Sequence, residues 1–364
     1  MSDQLTSNNK KHSAQPFNSV APLGSLLSFE SDTLLKACVA PAVAIAHYQQ
    51  ALQWSNVAVP FNSWVSVLEA VGTQQLSGTP VAAADLLQTG RSKDNAPIYR
   101  LLELLGAPDA NYSTQNVDAT VALHIANAIN PREVSLRRRA ANQGELAGLP
   151  EEYVPPTGAE RLQLLLDDWQ QFVGRGAADM NPLLLIGLAH CQFICIRPFT
   201  FSNTATAQVL NQIMLAEEGV LNKGSVLPLA WQFSHRATDY WQMQIKAVRE
   251  QCWEPWLLFF LQKITDCADR CTNQLHLLEQ LRSKLLIKID EHLPGTSNAQ
   301  TLATICAHPS CGISDVVDAG VAKRQTAASY LGRLAQAGVL RECRFGKEKR
   351  FVNDGVLALL LDDI

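Results

Sequence analysis

Two apolar helical segments that meet at one short loop most constrain the fold of this chain. Asn181-Pro182 is a favourable helix start, because asparagine caps helices and proline suits the first turn. Residues 183–196 and again 205–215 are apolar on nearly every face, so both helices are predicted to be buried on all sides. The loop between them therefore lies inside a helical core. Its amides could form an anion site at a helix N-terminus, although such loops are most often structural connections.

The loop resembles the signature of the Fic (Fido) family, His-Pro-Phe-x-Asp/Glu-Gly-Asn-Gly-Arg-x-x-Arg. Pro198, Phe199 and Asn203 match that signature, and residues 189–193 resemble the lead-in helix of the family. The resemblance implies a Fic-like helical bundle. In active members it also implies transfer of AMP from ATP to a protein hydroxyl, with magnesium bound at the loop.

The positions that carry the family's chemistry are changed. They are Arg197 for the base histidine, Phe201 for the metal-ligand carboxylate, Ser202 and Thr204 for the two glycines, Ala205 for the phosphate-binding arginine and Gln208 for the second arginine. Arginine cannot accept a proton near neutral pH, and phenylalanine offers magnesium no oxygen. Side chains at the glycine positions disfavour positive φ, and alanine loses a bidentate phosphate contact. The loop is therefore predicted to be catalytically inactive, with no metal site and neither ATP nor magnesium as a cofactor.

A weak anion site is still compatible with this loop. Asn203 lies at the start of a helix, and Arg197 places a permanent cation nearby, which together favour a single phosphate group without magnesium. Structural anchoring of the loop by Arg197, through bonds to nearby carbonyl groups, is an equally good interpretation.

Residues 73–78 resemble the inhibitory stretch of Fic proteins with an N-terminal helical extension, Ser/Thr-x-x-x-Glu-Gly/Asn. Ser77 stands at the position of the inhibitory glutamate, and Ala205 stands at the position of its partner arginine. The loss of both ends is coherent, because one buried charge without the other is costly. A helix over residues 63–70, capped by Asn62 or Ser63, is predicted to precede this stretch.

Two segments before the central helices suggest contacts with a protein partner. Residues 149–156 are extended and stiffened by proline, and they precede a helical pattern over 158–173. Their position resembles the β-hairpin flap of the family, which holds a partner segment by strand addition. Arg132 and residues 137–139 form a basic cluster, interpreted as a solvated helix end in preference to a site for an acidic partner.

Residues 299–353 resemble a winged helix-turn-helix, as found at the C-terminus of one Fic subgroup. Two short helical patterns at 299–306 and 313–319 precede a longer helix, and two alternating strands flank residues 346–348. Residues 323–350 carry eight basic and two acidic side chains, a net charge of +6 in a chain of net charge −4. This predicts contact with duplex DNA through the helix start and the strands. The predicted contact residues are Lys323, Arg324, Gln325, Thr326, Arg344, Lys347, Lys349 and Arg350. A protein–protein module is the alternative.

The whole chain is predicted to be mostly α, a Fic-like helical bundle with a small β-hairpin flap and a C-terminal winged helix-turn-helix. Its 364 residues divide into a disordered tail (1–17), a helical extension (18–110), the Fic core (111–294) and the winged helix-turn-helix (295–364). Scattered cysteines and the lack of a run of 18 apolar residues predict a cytoplasmic protein without a membrane partner. A homodimer stays open.

These observations predict a catalytically inactive, adenylyltransferase-like protein that acts as a DNA-binding transcriptional regulator or adaptor. The first alternative is an atypical protein adenylyltransferase that uses ATP. The second alternative is a scaffold for protein–protein interactions.

Overall fold

The computed structural model describes residues 19–23, 31–89, 96–106, 117–174, 180–293, 298–345 and 348–361. The protein is mostly helical, as predicted, with a small three-stranded antiparallel sheet. Within these ranges no helix combines the length and the apolar character needed to cross a membrane. The predicted disordered tail, residues 1–17, lies outside the described residues.

The N-terminal part contains five helices in its described residues. They are α1 (Asp32–Ala37), α2 (Val39–Trp54), α3 (Ala58–Leu76), α4 (Ala83–Thr89) and α5 (Ala96–Gly106). Helices α1 and α2 are separated by a single turn residue, Cys38. The helix expected to start at Asn62 or Ser63 begins earlier, so neither residue is a cap. Asn62 instead holds the segment after the central helices, since its amide nitrogen donates to the Gly224 carbonyl at 2.7 Å.

The central part is built on two buried helices, as predicted. Its helices are α6 (Ala119–Ile129), α7 (Ala159–Gly174), α8 (Pro182–Ile196), α9 (Asn203–Glu217), α10 (Leu229–Ser234), α11 (Ala237–Glu250) and α12 (Glu254–His292). Asn181 caps α8 with Pro182 in the first turn, and every residue from Leu183 to Ile196 is buried. Two neighbouring helices each donate an indole hydrogen bond to α8. Trp169 of α7 donates to the Ala189 carbonyl, and Trp256 of α12 donates to the Gly187 carbonyl.

The C-terminal part has the element order of a winged helix-turn-helix. The elements are α13 (Asn298–Ala307), β1 (Ser310–Gly312), α14 (Ile313–Asp318), α15 (Arg324–Gln336), β2 (Arg341–Phe345), β3 (Glu348–Val352) and α16 (Asp354–Leu361). The strands form an antiparallel sheet of order β1-β3-β2, in which Cys311 and Glu342 both face Phe351. The helix α15 and the β2–β3 hairpin agree with the sequence prediction. The short strand β1 and the terminal helix α16 were not anticipated.

The β-hairpin flap expected near residues 149–156 is not observed there. Residues 150–153 form a turn closed by a hydrogen bond from the Tyr153 amide to the Pro150 carbonyl at 3.0 Å. The Tyr153 hydroxyl donates to the Cys195 carbonyl at 2.6 Å. Prolines at 150, 155 and 156 have no amide hydrogen to donate to a strand ladder, which accounts for the missing hairpin. The described pairing at the central loop is made elsewhere, by an isolated antiparallel bridge between Leu136 and Phe199. The helix predicted at 158–173 is confirmed as α7.

Candidate functional site

The loop between α8 and α9 turns sharply at both ends. Arg197 has φ 45° and Ser202 has φ 64°, so both residues adopt the left-handed conformation that favours glycine. The expectation that a side chain at position 202 would prevent positive φ is therefore wrong. A hydrogen bond helps to hold that conformation, because the Asn130 side-chain amide donates to Ser202 Oγ at 3.1 Å.

Asn203 closes the loop on itself. Its Oδ1 accepts the Phe199 amide hydrogen at 2.9 Å, and its Nδ2 donates to the Phe199 carbonyl at 2.8 Å. The side chain is fully buried. Asn203 thus has a structural role in this loop that does not require a ligand.

The carboxylate of Glu145 lies at the N-terminus of α9. Oε1 accepts the Ser202 amide hydrogen at 2.9 Å, while Oε2 accepts from Asn203 Nδ2 at 2.7 Å and from the Asn203 amide at 3.4 Å. Glu145 belongs to a short 3₁₀ helix, Gln143–Leu146, whose N-cap is Asn142. The helix end expected to hold an external anion therefore already holds one from the chain itself.

Sequence reasoning missed Glu145. It lies 57 residues before Ser202 in a segment with no recognisable motif, so no local pattern connects the two positions. Only a general rule could have pointed to a carboxylate here. The loop that contains Arg197 lies in the helical core, and a buried arginine requires a carboxylate nearby.

Arg197 is buried beside this carboxylate and is 1% exposed. Its Nη1 lies 3.5 Å from Glu145 Oε2, its Nη2 donates to Thr204 Oγ1 at 3.3 Å, and its guanidinium lies 5.4 Å from the Trp241 ring centre. Burial lowers the pKa of Arg197, and the charge of Glu145 opposes that shift. The residue anchors the loop, as one of the two sequence interpretations held, but it does so through Glu145 and Thr204 rather than through carbonyl groups.

The carbonyl groups at the end of α8 are held by a different arginine, Arg137. Its guanidinium donates to the Arg197 carbonyl at 3.1 Å, the Ile196 carbonyl at 3.3 Å and the Pro156 carbonyl at 2.7 Å. Because Arg137 is buried, its assignment to a solvated basic cluster is wrong. Burial lowers its pKa, and the nearby Arg197 lowers it further. Arg132 and residues 138–139 remain exposed beside the loop.

The other altered motif positions fill the core or cover the loop. Phe201 is half-buried, and the Arg132 guanidinium lies 5.8 Å from its ring centre. Ala205 is buried in the first turn of α9. Gln208 donates to the Tyr240 hydroxyl at 3.1 Å, and that hydroxyl lies 2.8 Å from Nε2 of His190. Burial lowers the pKa of His190 to about 4.

The residues of this loop do not fit ATP or magnesium. The amides of Ser202 and Asn203 are already bonded to a carboxylate, whose charge would repel a phosphate placed there. Phe201 supplies no oxygen at the ligand position. Glu145 has the chemistry of a magnesium ligand, but its oxygens are already bonded to amide donors and paired with Arg197.

Ser77 lies directly after the last residue of α3. Its hydroxyl donates to the Thr73 carbonyl at 2.7 Å. Gly78 follows with φ 76°, and a Cβ atom at that position would collide with the Cβ of Ala147. The stretch that resembles the inhibitory motif therefore packs against the segment that carries Glu145.

The predicted DNA-contact residues divide into two groups. Residues 323–326 form the exposed first turn of α15, and Arg344 is exposed on β2. On β3 the cations already have partners: Lys349 Nζ lies 2.7 Å from Glu342 Oε2, and Arg350, 16% exposed, lies 3.5 Å from Asp315 Oδ2. Lys347 lies outside the described residues. Among the described residues, the predicted contact cations without an ion-pair partner thus lie at the start of α15 and on β2.

Two comparisons with known proteins bear on this architecture. A crystal structure described as a Fic family protein from Desulfovibrio desulfuricans G20 is similar with a TM-score of 0.51 and 14% sequence identity, over 89% of this chain and 97% of that chain. Residues 281–356 match the family described as "Protein adenylyltransferase SoFic-like, C-terminal domain". The chain thus has a Fic-like fold, and its C-terminal residues match a family described by its adenylyltransferase members; both findings agree with the resemblance of its central motif to Fic proteins.

Proposed function

We propose that this protein is a Fic-fold pseudoenzyme that does not transfer AMP. The observation that carries this proposal is the Glu145 carboxylate at the N-terminus of α9, bonded to the amides of Ser202 and Asn203. The resemblance to Fic proteins implies that an active transferase needs three features in this loop. They are a bound phosphate at the start of α9, a side chain that can accept a proton, and an oxygen ligand for magnesium. Arg197 and Phe201 cannot supply the last two.

Incubation of the full-length protein with labelled ATP and cell lysate tests this proposal. We expect no labelled protein above background from the wild-type chain. We expect the same from an Arg197→His variant, because Glu145, Phe201 and Ala205 are unchanged in it. Labelled product that is lost in an Arg197→Ala variant would contradict the proposal. That outcome would favour the alternative of an atypical adenylyltransferase, which the description of the matching C-terminal family makes the natural competitor.

We also propose that the C-terminal part binds duplex DNA, so that the protein acts as a transcriptional regulator or adaptor. Support comes from the exposed first turn of α15, residues 323–326, where basic and polar side chains precede the buried face formed by Ala327, Leu331 and Leu334. Arg344 on β2 adds a cation without a described ion-pair partner. In this arrangement Arg324 and Gln325 contact base edges and Lys323 contacts a phosphate.

Mobility-shift titrations of the full-length protein on genomic fragments, at several salt concentrations, test DNA binding. A Lys323→Ala/Arg344→Ala variant should bind all sequences more weakly, with the salt slope reduced by about 0.9 for each lost phosphate contact. Gln325→Ala should instead reduce sequence preference by about 1–3 kcal/mol. Lys246→Ala, which removes an exposed lysine of α11, is the matched control. Absence of any shift at low salt would leave the scaffold alternative.

A protein partner beside the central loop is a further part of this proposal. Residues 135–137 run antiparallel to the loop, since the Thr200 amide donates to the Ser135 carbonyl at 3.0 Å and the Arg137 amide to the Pro198 carbonyl at 2.8 Å. Arg138 and Arg139 follow on the exposed side, so an acidic extended segment suits this edge. Reversal of both charges should abolish capture of such a partner without changing DNA binding.

A further inference from the structure

The outer face of α2 is exposed and carries no charge. None of the sixteen residues from Val39 to Trp54 is Asp, Glu, Lys or Arg. Val39, Val43 and Trp54 are 61%, 48% and 77% exposed, and Leu35 at the end of α1 is 40% exposed. These four make up half of the large hydrophobic side chains that are exposed within the described ranges. The opposite face of the helix is buried, with Ile45 in the core.

A groove runs along this face at its C-terminal end. It lies between α2 and α12, has a volume of about 420 Å³, and is lined among others by His47, Trp54, Leu275 and Glu279. The apolar residues Leu35 and Val39 lie at the other end of the face. The surface therefore has an apolar projection at one end and an apolar recess at the other.

We propose that α2 is the centre of a homodimer interface in which two copies pack antiparallel about a two-fold axis. In that arrangement Leu35 and Val39 of each copy meet Trp54 and the groove of the other. The exposed residue near the middle of the helix, Ala46, is small and allows the two backbones to approach closely. An interface of this kind is self-complementary, as closed two-fold symmetry requires.

Charges at the two ends of the face favour a second copy, and favour the antiparallel arrangement. Asp32 and Lys36 lie at the N-terminal end, where both are exposed. At the C-terminal end, the Glu279 carboxylate accepts from Ser55 Oγ at 2.9 Å, and Arg282 lies 3.8 Å from it. Antiparallel packing places Lys36 near Glu279 of the second copy and Asp32 near Arg282. Nucleic acid or a highly charged protein finds no complement on the uncharged helix face itself.

Sedimentation and light scattering on the full-length protein test whether the dimer exists. We expect a dimer for the wild type and at least a tenfold weaker association for Val43→Glu, because the new charge would be buried against the uncharged helix face of the second copy. Leu164→Glu is the matched control, since Leu164 is 70% exposed on α7. A monomeric wild type, or a dimer that Val43→Glu leaves intact, would overturn the proposal.

Cross-linking tests the antiparallel geometry. An Ala46→Cys variant in a Cys252→Ser background should form an intermolecular disulfide on mild oxidation, because residue 46 lies close to its own copy across the axis. Val39→Cys should not, since the two copies of residue 39 would be roughly 22 Å apart along the helices at 1.5 Å per residue. The Cys252 change removes an exposed native thiol. Efficient linkage through residue 39 and none through residue 46 would overturn the antiparallel arrangement.

Discussion

Glu145 acts on the central loop from 57 residues away in the chain. It replaces, with a side chain of the protein itself, the external anion that the exposed amides of a helix start would otherwise attract. Arg197 then serves as the counter-charge of that carboxylate. Arg197 and Thr204, which both differ from the family motif, thus belong to one buried contact with Glu145.

Removal of the Glu145 carboxylate should destabilise the protein and expose an anion site. Glu145→Ala leaves the Ser202 and Asn203 amides and the Arg197 guanidinium without their acceptor, at a cost of about 1–3 kcal/mol. Added inorganic phosphate should restore part of the lost thermal stability in the variant and have little effect on the wild type. Glu151→Ala, an exposed carboxylate of the neighbouring segment, is the control. An equal response of all three proteins to phosphate would contradict this account of Glu145.

Glu69 predicts a pH dependence of stability. It is fully buried on α3, where it accepts the Ala230 amide hydrogen at 2.6 Å, and burial raises its pKa to about 8 from 4.5. Between those values the folded protein binds more protons than the unfolded chain, so stability should fall as pH rises, by up to about 1.4 kcal/mol per pH unit. Denaturant titrations across the interval should show a flatter profile for Glu69→Gln.

His190 has the opposite effect at lower pH. Because burial lowers its pKa to about 4 from 6.5, its contribution to stability is lost as pH falls below 6.5. Between pH 6.5 and about 8, only Glu69 of these two residues contributes to the pH dependence of stability. A profile in that interval that is unchanged by Glu69→Gln would show that Glu69 titrates normally in the folded protein.

At the scale of elements, helix pairs pack closely at particular small residues. Gly72 of α3 lies against the backbone of Ala230 and Trp231 of α10, so closely that a Cβ atom would overlap both residues. Gly332 lies on α15 with no atom within 4 Å of the position a Cβ would take. Both glycines are helical, but their surroundings differ. Only at position 72 does the close packing of two helices require a residue without a side chain.

Alanine at these two positions should have opposite effects. Gly72→Ala should lower the free energy of unfolding by about 1–3 kcal/mol or more, because α3 and α10 must separate. Gly332→Ala should raise it by roughly 0.5–1 kcal/mol, since glycine is a poor helix former in an exposed helix. Chemical denaturation of both variants beside the wild type gives the comparison. Similar changes for the two variants would show that α3 and α10 are less closely packed than described.

For the whole molecule, α12 connects the central and C-terminal parts as one continuous helix. Its residues Leu285 and Ile289 are buried near the C-terminal part. Earlier in the same helix, Gln274 donates to the Leu359 carbonyl at 2.7 Å and Arg270 to that of Leu360 at 3.1 Å. These bonds hold the end of α16 against the helix, so the C-terminal part is fixed to the remainder of the chain.

This arrangement predicts one cooperative unfolding transition rather than two. Ile289→Ala should lower the stability of the whole transition by about 2–5 kcal/mol, because the side chain is fully buried in shared packing. Ile287→Ala, which truncates a 60% exposed side chain two residues earlier, should change little. Differential scanning calorimetry of the wild type and both variants distinguishes one unfolding transition from two. Two resolved peaks, of which Ile289→Ala shifts only one, would show that the parts unfold independently.

The sequence by itself determined the helical class, the two buried central helices, and the helix and hairpin of the C-terminal part. These features depend on hydrophobic periodicity, caps and turn residues, which act over a few neighbouring positions. The resemblance to Fic proteins rested on a contiguous motif for the same reason. Only the tertiary structure decided that Glu145 meets Ser202 and that Arg137 is buried. Glu145 is 57 positions from Ser202, and Arg137 is 60 positions from Arg197, whose carbonyl it binds. The energies of these contacts depend on burial and distance, which no local pattern encodes.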